Sequence, residues 1–288
     1  MHQTYRTSMR NDAELRKNPK RLLPFLSRAS IYKLFLPRTV RILRRYRPRL
    51  APRVILITPN LIVKYGSTEV YSEACAIDFI SKNTTIPVPK LVTVFQVRDG
   101  TTYILMTRCS GVPLQNVIRQ LSQVEKQNAL AQLRGYVDQL RALEPPQPGK
   151  VGSIAYGPLE DDRICDEPCG PFGGVAELHK AMRLKAELPS GHEECDKLIT
   201  MQDRRDYDIK CTHGDLSLRH VHYLDGKITG IIDWESAGWL PDYWEYTMTW
   251  DAFWDASDLR DDIATFLDPF PEELKMERTR MRLFRGRG

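Results

Sequence analysis

Two aspartates are the residues of this sequence best placed to do chemistry. Asp215 follows His213 and Gly214 in a short polar segment, and Asp233 lies eighteen residues later, at the end of an apolar run. One carboxylate of such a pair can align an attacking hydroxyl and accept its proton, while the other holds Mg²⁺ on a nucleotide. This spacing indicates phosphoryl transfer.

A lysine and a glutamate earlier in the chain fit the same chemistry. Lys64 ends an apolar strand, and Glu73 lies nine residues later, in a segment with helical spacing. A lysine–glutamate pair between a strand and a helix can hold the ammonium group on the α- and β-phosphates of ATP. An ordinary surface ion pair is the alternative, and the presence of Asp215 and Asp233 favours the functional interpretation.

The elements that position these residues form a small β-rich part followed by a larger helical part. The patterns predict a hairpin over 53–65 with a Pro-Asn turn, a helix over 70–82, and a second hairpin over 91–106 with an Asp-Gly turn. After a break at 111–113 they predict helices over 114–143 and 175–185, strands at 221–224 and 228–232, helical sequence to 267 and a frayed basic tail.

This order predicts an α+β protein with two lobes. Residues 1–50 form a basic extension, 51–110 an N-lobe with a nucleotide-binding sheet and helix, and 111–274 a C-lobe with the catalytic loop and the metal and acceptor sites, before a basic tail over 275–288. A cleft between two such lobes is a natural nucleotide site.

The net charge of +5 conceals an uneven distribution along the chain. Residues 1–50 contain 14 lysines and arginines against 2 acidic residues, so this segment carries +12 and the remainder −7. We expect a solvated extension with one short amphipathic helix after Pro37, packed on the body. The apolar residues of that helix are Leu34, Val40, Ile42 and Leu43. Contact of residues 1–50 with an anionic membrane surface is an alternative, and nucleic acid is not an expected partner.

The remaining composition predicts an intracellular protein. No apolar run approaches the length that spans a bilayer, and the first residues lack the apolar core of a signal peptide. Six scattered cysteines without a ligand-like spacing predict reduced thiols, although Cys165 and Cys169 form one close pair in a loop. We therefore expect a cytoplasmic location, with an arginine-rich mitochondrial targeting segment as the alternative.

A set of short motifs resembles the aminoglycoside phosphotransferase and choline kinase-like family, and its fungal branch in particular. The resemblance covers roughly residues 51–255. The motifs that carry it are Val63-Lys-Tyr-Gly66, Thr85-Ile-Pro-Val-Pro89, Ile104-Leu-Met106, Gly111-Val-Pro-Leu114, Gly170-Pro-Phe172, His213-Gly-Asp-Leu-Ser217, Thr229-Gly-Ile-Ile-Asp-Trp-Glu235, Ala237-Gly-Trp239 and Pro241-Asp-Tyr-Trp-Glu-Tyr246. The family has a protein-kinase-like fold and transfers the γ-phosphate of ATP to a hydroxyl of a small molecule.

The resemblance assigns roles to individual positions. Lys64 corresponds to the phosphate-binding lysine and Glu73 to its partner. Asp215 corresponds to the catalytic aspartate, and Asp233 to the metal-binding aspartate. The linker whose backbone meets the adenine is Met106 to Arg108.

Position 220 departs from the family pattern, because His220 stands where the metal-binding asparagine is expected. Imidazole is a softer ligand than an amide oxygen, and Mg²⁺ prefers hard oxygen donors. The substitution is compatible with a weakened metal site, a preference for Mn²⁺, or one ion held by Asp233. The nearby His222 adds a zinc or manganese site as a further alternative.

The activity therefore has two interpretations. The first is an ATP- and Mg²⁺-dependent kinase that acts on a small-molecule hydroxyl. The second is a pseudokinase that serves as a binding or regulatory module, and its motivation is His220. The acceptor cannot be named from the residues. Its pocket is expected from roughly 145–185 and 234–254, where four tryptophans form either pocket walls or core.

Overall fold

A computed structural model describes the chain over residues 29–46, 49–161, 163–165, 167–184, 193–204, 206–253 and 257–285. The helices are α1 (Ala29–Tyr46), α2 (Thr68–Asn83), α3 (Leu114–Val117), α4 (Gln123–Arg141), α5 (Val175–Leu184), α6 (Glu193–Gln202), α7 (Trp244–Ala252), α8 (Arg260–Phe266) and α9 (Pro271–Arg285). The strands are β1 (Arg49–Ala51), β2 (Val54–Thr58), β3 (Leu61–Gly66), β4 (Leu91–Gln96), β5 (Thr102–Thr107), β6 (Val112–Pro113), β7 (Gly152–Ser153), β8 (Ile209–Thr212), β9 (Val221–Leu224), β10 (Lys227–Ile231) and β11 (Gly238–Pro241).

The N-terminal part is a five-stranded antiparallel sheet in the order β1-β2-β3-β5-β4. The two predicted hairpins form its centre, and β3 pairs with β5 so that Lys64 lies opposite Ile104. Because side chains alternate along a strand, Val63 and Lys64 point to opposite faces of the sheet. This alternation aims the lysine at the C-terminal part.

Each face of that sheet is covered by one helix. Val63 and Leu105 pack with Leu36 and Val40 of α1, while Ile104 lies in the large core that includes apolar residues of α2. The central strands are therefore buried on both sides. This burial fixes the strand register, because a slip of one residue would exchange the two faces.

The C-terminal part is mostly helical and carries two three-stranded sheets, β10-β9-β6 and β7-β11-β8. Helix α4 begins with a capping box between Ser122 and Glu125 and buries a stripe of apolar residues. That stripe consists of Ala129, Leu130, Leu133, Val137 and Leu140. The whole arrangement is an α+β kinase-like fold, as predicted.

Both ends of the described chain differ from expectation. Helix α1 continues through Pro37 instead of beginning after it, and Ile42 is exposed instead of packed. At the other end, the basic sequence expected to fray is helix α9, in which Glu277 and Arg280 are buried and paired at 2.8 Å. The basic composition of this segment suggested an exposed tail, and it gives no sign that two of its charged residues pair in the core.

Several elements were absent from the sequence prediction, namely α6, β1, β6, β7, β8 and β11. The expectation of reduced thiols is wrong for one pair, because Cys165 and Cys169 form a disulfide. The two cysteines are four positions apart in the sequence, and their Cα atoms lie 6.2 Å apart, which is within the usual range for a disulfide. None of the helices described is both long and apolar enough to cross a membrane.

Candidate active site

Lys64 forms the centre of a cluster of carboxylates at the end of β3. Its Nζ lies 2.8 Å from Glu73 Oε2, 2.5 Å from Asp233 Oδ1 and 2.8 Å from Glu235 Oε2. Glu73 comes from α2, on the second turn of the helix, whereas the other two carboxylates follow β10. The predicted lysine–glutamate pair is therefore present, and the contacts of Lys64 with Asp233 and Glu235 join the two parts of the molecule.

Burial and charge set the protonation of this cluster. Burial alone would lower the pKa of Lys64, but the three carboxylates outweigh it and raise the pKa above its ordinary value. Burial raises the pKa of Glu73 to about 7, even though Lys64 opposes the shift. Burial also acts to raise the pKa of Asp233, but Lys64 and His220 hold it below the ordinary value. Lys64 is charged and Asp233 ionised at neutral pH.

The backbone places Asp233 by an unusual conformation. Its φ of 68° lies in the left-handed region, which residues other than glycine rarely adopt. The preceding residues are held on both sides, since Ile231 N–H donates to the Pro87 carbonyl and Ile232 N–H to the His220 carbonyl. Such strain persists only where its surroundings enforce it, and it concentrates at functional sites.

Gly214 brings the loop of Asp215 against the segment after Asp233. Its φ is +84°, and a Cβ at this position would clash with the Ser236 carbonyl oxygen. Only glycine satisfies both the positive φ and the close approach. The Asp215 and Asp233 loops are therefore packed backbone to backbone.

His213 and Glu245 fix the Asp215 loop through hydrogen bonds. The buried carboxylate of Glu245 accepts hydrogen bonds from the backbone N–H of His213 at 2.6 Å and of Gly214 at 3.1 Å. His213 Nδ1 accepts from the Asp215 N–H at 3.2 Å, so Nε2 donates to the Ile232 carbonyl at 3.0 Å. Burial lowers the pKa of His213 to about 3, so this ring is a neutral structural element.

His220 lies between the two aspartates. Its Nδ1 donates to the backbone carbonyl of Asp215 at 2.9 Å, so Nε2 is the accepting nitrogen of the ring. That Nε2 lies 3.4 Å from Asp233 Oδ2. Arg219 donates to His220 Nε2 and to Asp215 Oδ1, both at 3.2 Å. His220 Nε2 and Asp233 Oδ2 are therefore neighbouring atoms that could both bind a metal ion.

The residues around Lys64 fit a divalent cation. Two groups of side chains have ligand atoms within 4.8 Å of one another, and Asp233 belongs to both. The first group adds Asp215 and His220, and the second adds Glu73 and Glu235. Three carboxylates pair with a single lysine, and the surplus negative charge with hard oxygen donors suits Mg²⁺ or Mn²⁺. His222 belongs to neither group of described residues, so the structure does not support the site suggested for it.

Met106 and Arg108 lie where the two parts of the chain meet. The Met106 side chain is buried at the end of β5, opposite Ile62. The Arg108 N–H donates to the Asn60 carbonyl at 2.9 Å. The Arg108 N–H is already used in a hydrogen bond within the protein. A nucleotide base bound at the linker would therefore hydrogen-bond to other backbone groups of that segment.

The loop that precedes β2 is short. Pro52 and Arg53 alone connect β1 to β2, which agrees with the absence of a glycine-rich phosphate loop from the sequence. The Arg53 guanidinium pairs with Glu69 at the start of α2. Phosphate contacts on this side would come from Lys64 and a bound cation instead of a loop.

A cavity of about 520 Å³ opens beside Asp215. Its walls come from the start of α2, the loop between β7 and α5, and the segment after Asp233. The acidic residues among its lining are Glu69, Glu160, Asp161, Glu167, Asp215 and Glu235. Burial raises the pKa of Glu160, and three neighbouring carboxylates add to the effect while Thr68 opposes it. The cavity concentrates negative charge.

Helix α9 supports one wall of this cavity from the far side. Arg280 donates to the backbone carbonyl of Arg163 at 3.0 Å. Arg163 in turn pairs with Asp161 at 2.5 Å and stacks over the Trp244 ring at 4.5 Å. Asp161 lines the cavity, so a buried chain of contacts connects its wall to the C-terminal helix.

The tryptophans after position 234 serve mainly as core. Trp239 and Trp244 are buried and line no part of the cavity. Trp250 lies between the guanidinium groups of Arg260 and Arg278, each 4.7 Å from a Trp250 ring centroid. Trp254 is outside the described residues.

The four residues singled out in the sequence lie close together, but sequence reasoning missed several residues that hold them. Lys64, Glu73, Asp215 and Asp233 share one site with His220. The role of Glu245 was missed, although its position inside an apolar aromatic stretch was a usable signal, since a buried acid needs partners. Arg219 and the acidic cavity wall have no comparable local signature.

Comparisons with known proteins agree with this geometry. The profile of the phosphotransferase enzyme family matches residues 36–283. The GDP complex of wild-type aminoglycoside 2'-phosphotransferase-IIIa superposes with a TM-score of 0.54 at 17% identity, covering 86% of this chain and 87% of that one. No curated protein matches the sequence.

Two further solved structures show the same fold. The GDP and kanamycin complex of APH(2")-IIia has a TM-score of 0.55 at 16% identity, covering 86% of this chain and 88% of that one. Aminoglycoside phosphotransferase APH(4)-Ia has a TM-score of 0.53 at 15% identity, covering 86% and 89%. The matches do not distinguish a fungal branch, which stays a prediction.

Proposed function

Because this chain belongs to the phosphotransferase enzyme family, we propose that it transfers the γ-phosphate of ATP to a hydroxyl of a small molecule. The observation that carries the proposal is the position of Lys64, which pairs with Glu73 and Asp233 while Asp233 shares a ligand group with Asp215. Lys64 as the phosphate-binding group, Asp233 as a metal ligand and Asp215 as the carboxylate that aligns the hydroxyl would then lie in one cleft.

Asp215 takes the part of the aligning base in this proposal. The acceptor oxygen bonds to the γ-phosphorus, the bond from that phosphorus to the β–γ bridging oxygen breaks, and ADP leaves with the electron pair. The hydroxyl proton passes to an Asp215 carboxylate oxygen. Arg219 and the hydrogen bonds of His213 keep that carboxylate oriented.

Lys64 binds and orients the nucleotide phosphates. Its three carboxylate partners hold the ammonium in place and keep it charged. Asp233, His220 and Asp215 would hold a divalent cation. When bound, the cation neutralises the phosphate charge that develops during transfer. Met106 to Arg108 would border the base.

The acidic cavity supports a cationic acceptor. Five further carboxylates line its wall beside Asp215, and Glu160 Oε1 is buried without a hydrogen-bond donor among the described residues. An amine-bearing molecule with hydroxyl groups would pair with Glu160 and present an oxygen to Asp215. One structural relative binds kanamycin, which agrees with this chemistry.

The decisive experiment incubates the purified chain with ATP, Mg²⁺ or Mn²⁺ and a panel of hydroxylated amines, and detects phosphorylated products by mass spectrometry. We expect product from the wild type and none above background from Asp215→Ala. Asp225→Ala, in the exposed turn between β9 and β10, is the matched control and should keep activity. Equal turnover by wild type and Asp215→Ala would refute the proposal.

A pseudokinase is the second candidate, and His220 is the observation that favours it. A nucleotide titration by thermal shift separates the two readings. Stabilisation by ATP that requires Mg²⁺ or Mn²⁺ supports the kinase. Stabilisation without a metal, or the absence of any, supports a binding module.

A further inference from the structure

We propose that the outer face of helix α1 docks on an anionic lipid surface. This inference is independent of phosphoryl transfer. It starts from the six large hydrophobic side chains that are exposed among the described residues, three of which lie on this one helix. They are Phe35, Ile42 and Tyr46, with 59%, 58% and 79% of their surface exposed.

The three exposed side chains form a stripe. Phe35 and Ile42 are seven residues apart and Tyr46 follows four residues later, so all three lie on one side of the helix. This side is separate from the buried one, where Leu36 and Val40 pack on the sheet. Helix α1 is therefore apolar on two sides, and only one of them is covered by described residues.

Positive charge lies directly beside this stripe. Arg38 and Arg45 follow Phe35 and Ile42 by three positions each, and Arg41 is exposed on the adjoining side. The sequence of α1 contains no acidic residue. An apolar stripe flanked by arginines matches the boundary between anionic headgroups and acyl chains.

Lipid fits these observations better than nucleic acid does. A phosphate backbone is recognised by charge and hydrogen bonds, and gains little from an exposed phenylalanine and isoleucine on the same stripe. A lipid interface takes up both the apolar side chains and the arginines. Tyr46 adds an aromatic ring with a polar tip, which favours such an interface.

The fold presents this face without obstructing the cleft. Helix α1 covers the face of the sheet to which Val63 points, whereas Lys64 points to the opposite face. A lipid surface that contacts Phe35 and Ile42 therefore lies on the side of the sheet away from Lys64. Docking would leave the carboxylate cluster open to its ligands.

The test measures co-sedimentation of the full chain with vesicles of phosphatidylcholine alone or mixed with phosphatidylserine. We expect binding to the mixed vesicles that weakens as NaCl rises. The triple variant Phe35→Ser/Ile42→Ser/Tyr46→Ser should lose at least about tenfold in partition coefficient. Arg41→Gln/Arg45→Gln should lose about thirtyfold.

The matched control is Val124→Ser, which removes an exposed apolar side chain from another helix and should leave vesicle binding unchanged. Circular dichroism checks that every variant is folded, and ATP-dependent stabilisation should be equal in all of them. Equal binding by the wild type and the triple serine variant would overturn the proposal. So would binding to a DNA duplex, in place of mixed vesicles, that depends on the arginines alone.

Discussion

The carboxylate of Glu245 accepts a 2.6 Å hydrogen bond from the backbone N–H of His213, two residues before Asp215. This contact fixes the loop to helix α7 from inside the core. Glu245→Gln replaces one of the two accepting oxygens with an NH₂ group, which cannot accept a hydrogen bond, so we expect a loss of about 2 kcal/mol in the free energy of unfolding. Urea denaturation measures it. Glu144→Gln, at an exposed position, should change stability little.

Gly214 offers a comparison of two glycines with nearly the same backbone. Gly214 and Gly226 have φ values of +84° and +82°, but only Gly214 faces a neighbouring carbonyl. Gly226→Ala should cost about 1 kcal/mol from its backbone alone. Gly214→Ala should cost roughly 3 kcal/mol or more and abolish activity, because Ser236 must move. Similar unfolding free energies for the two variants would contradict the proposed packing of the loops.

Removal of Lys64 should make the protein dependent on divalent cations. Lys64→Met leaves Glu73, Asp233 and Glu235 together without their shared cation, so the melting temperature should fall in the absence of metal. Mg²⁺ should restore part of the loss, and should stabilise the variant more than the wild type. Thermal shift with and without MgCl₂ tests this, with Lys82→Met as the control at an exposed ion pair.

His220 should set the metal preference. With an imidazole nitrogen 3.4 Å from Asp233, the site should favour Mn²⁺ over Mg²⁺, and His220→Asn should shift the preference toward Mg²⁺. Calorimetric titration of each metal into the nucleotide-free protein gives the ratio of affinities. His222→Asn, on the next strand and outside both ligand groups, should leave the ratio unchanged. An unchanged ratio in His220→Asn would show that the imidazole does not bind the ion.

Acidification should destabilise the C-terminal part through His179. Burial lowers the pKa of this residue to about 4, from an ordinary value of 6.5, and its Nε2 lies 2.8 Å from the Tyr243 hydroxyl. Between these two pH values the unfolded chain binds the proton and the folded chain does not, so stability falls as pH falls. The contribution is about 3 kcal/mol. His179→Gln should start less stable but lose less between pH 7 and pH 4, as followed by urea denaturation.

Local patterns predicted the elements whose signals are contained in a few neighbouring residues. Examples are the Asp99-Gly100 turn, the alternation of apolar residues around Lys64 and the apolar stripe of α4. Each of these elements is recognisable from residues within the element itself. The placement of Lys64, Glu73, Asp215 and Asp233 followed from the strands and helix that carry them.

Elements set by distant partners were not predictable in the same way. Strand β11 is aromatic and was read as helix, but its conformation is fixed by pairing with β8, where Gly238 lies opposite Thr212. Helix α9 has a polar composition, and its place in the folded body is shown by the buried pair of Glu277 and Arg280 and by the burial of Leu274 and Met276 in the core. The Cys165–Cys169 disulfide likewise depends on how the surrounding loop folds.

The contacts from Arg280 through Arg163 to Asp161 have a consequence for how acceptor range can vary. A substitution on helix α9 alters the shape of the cavity wall without touching any atom that a ligand would contact. Tuning of selectivity therefore need not involve the lining residues. Laboratory evolution toward a new acceptor should accumulate changes in α9 as well as beside Asp215, and sequencing of selected variants would reveal them.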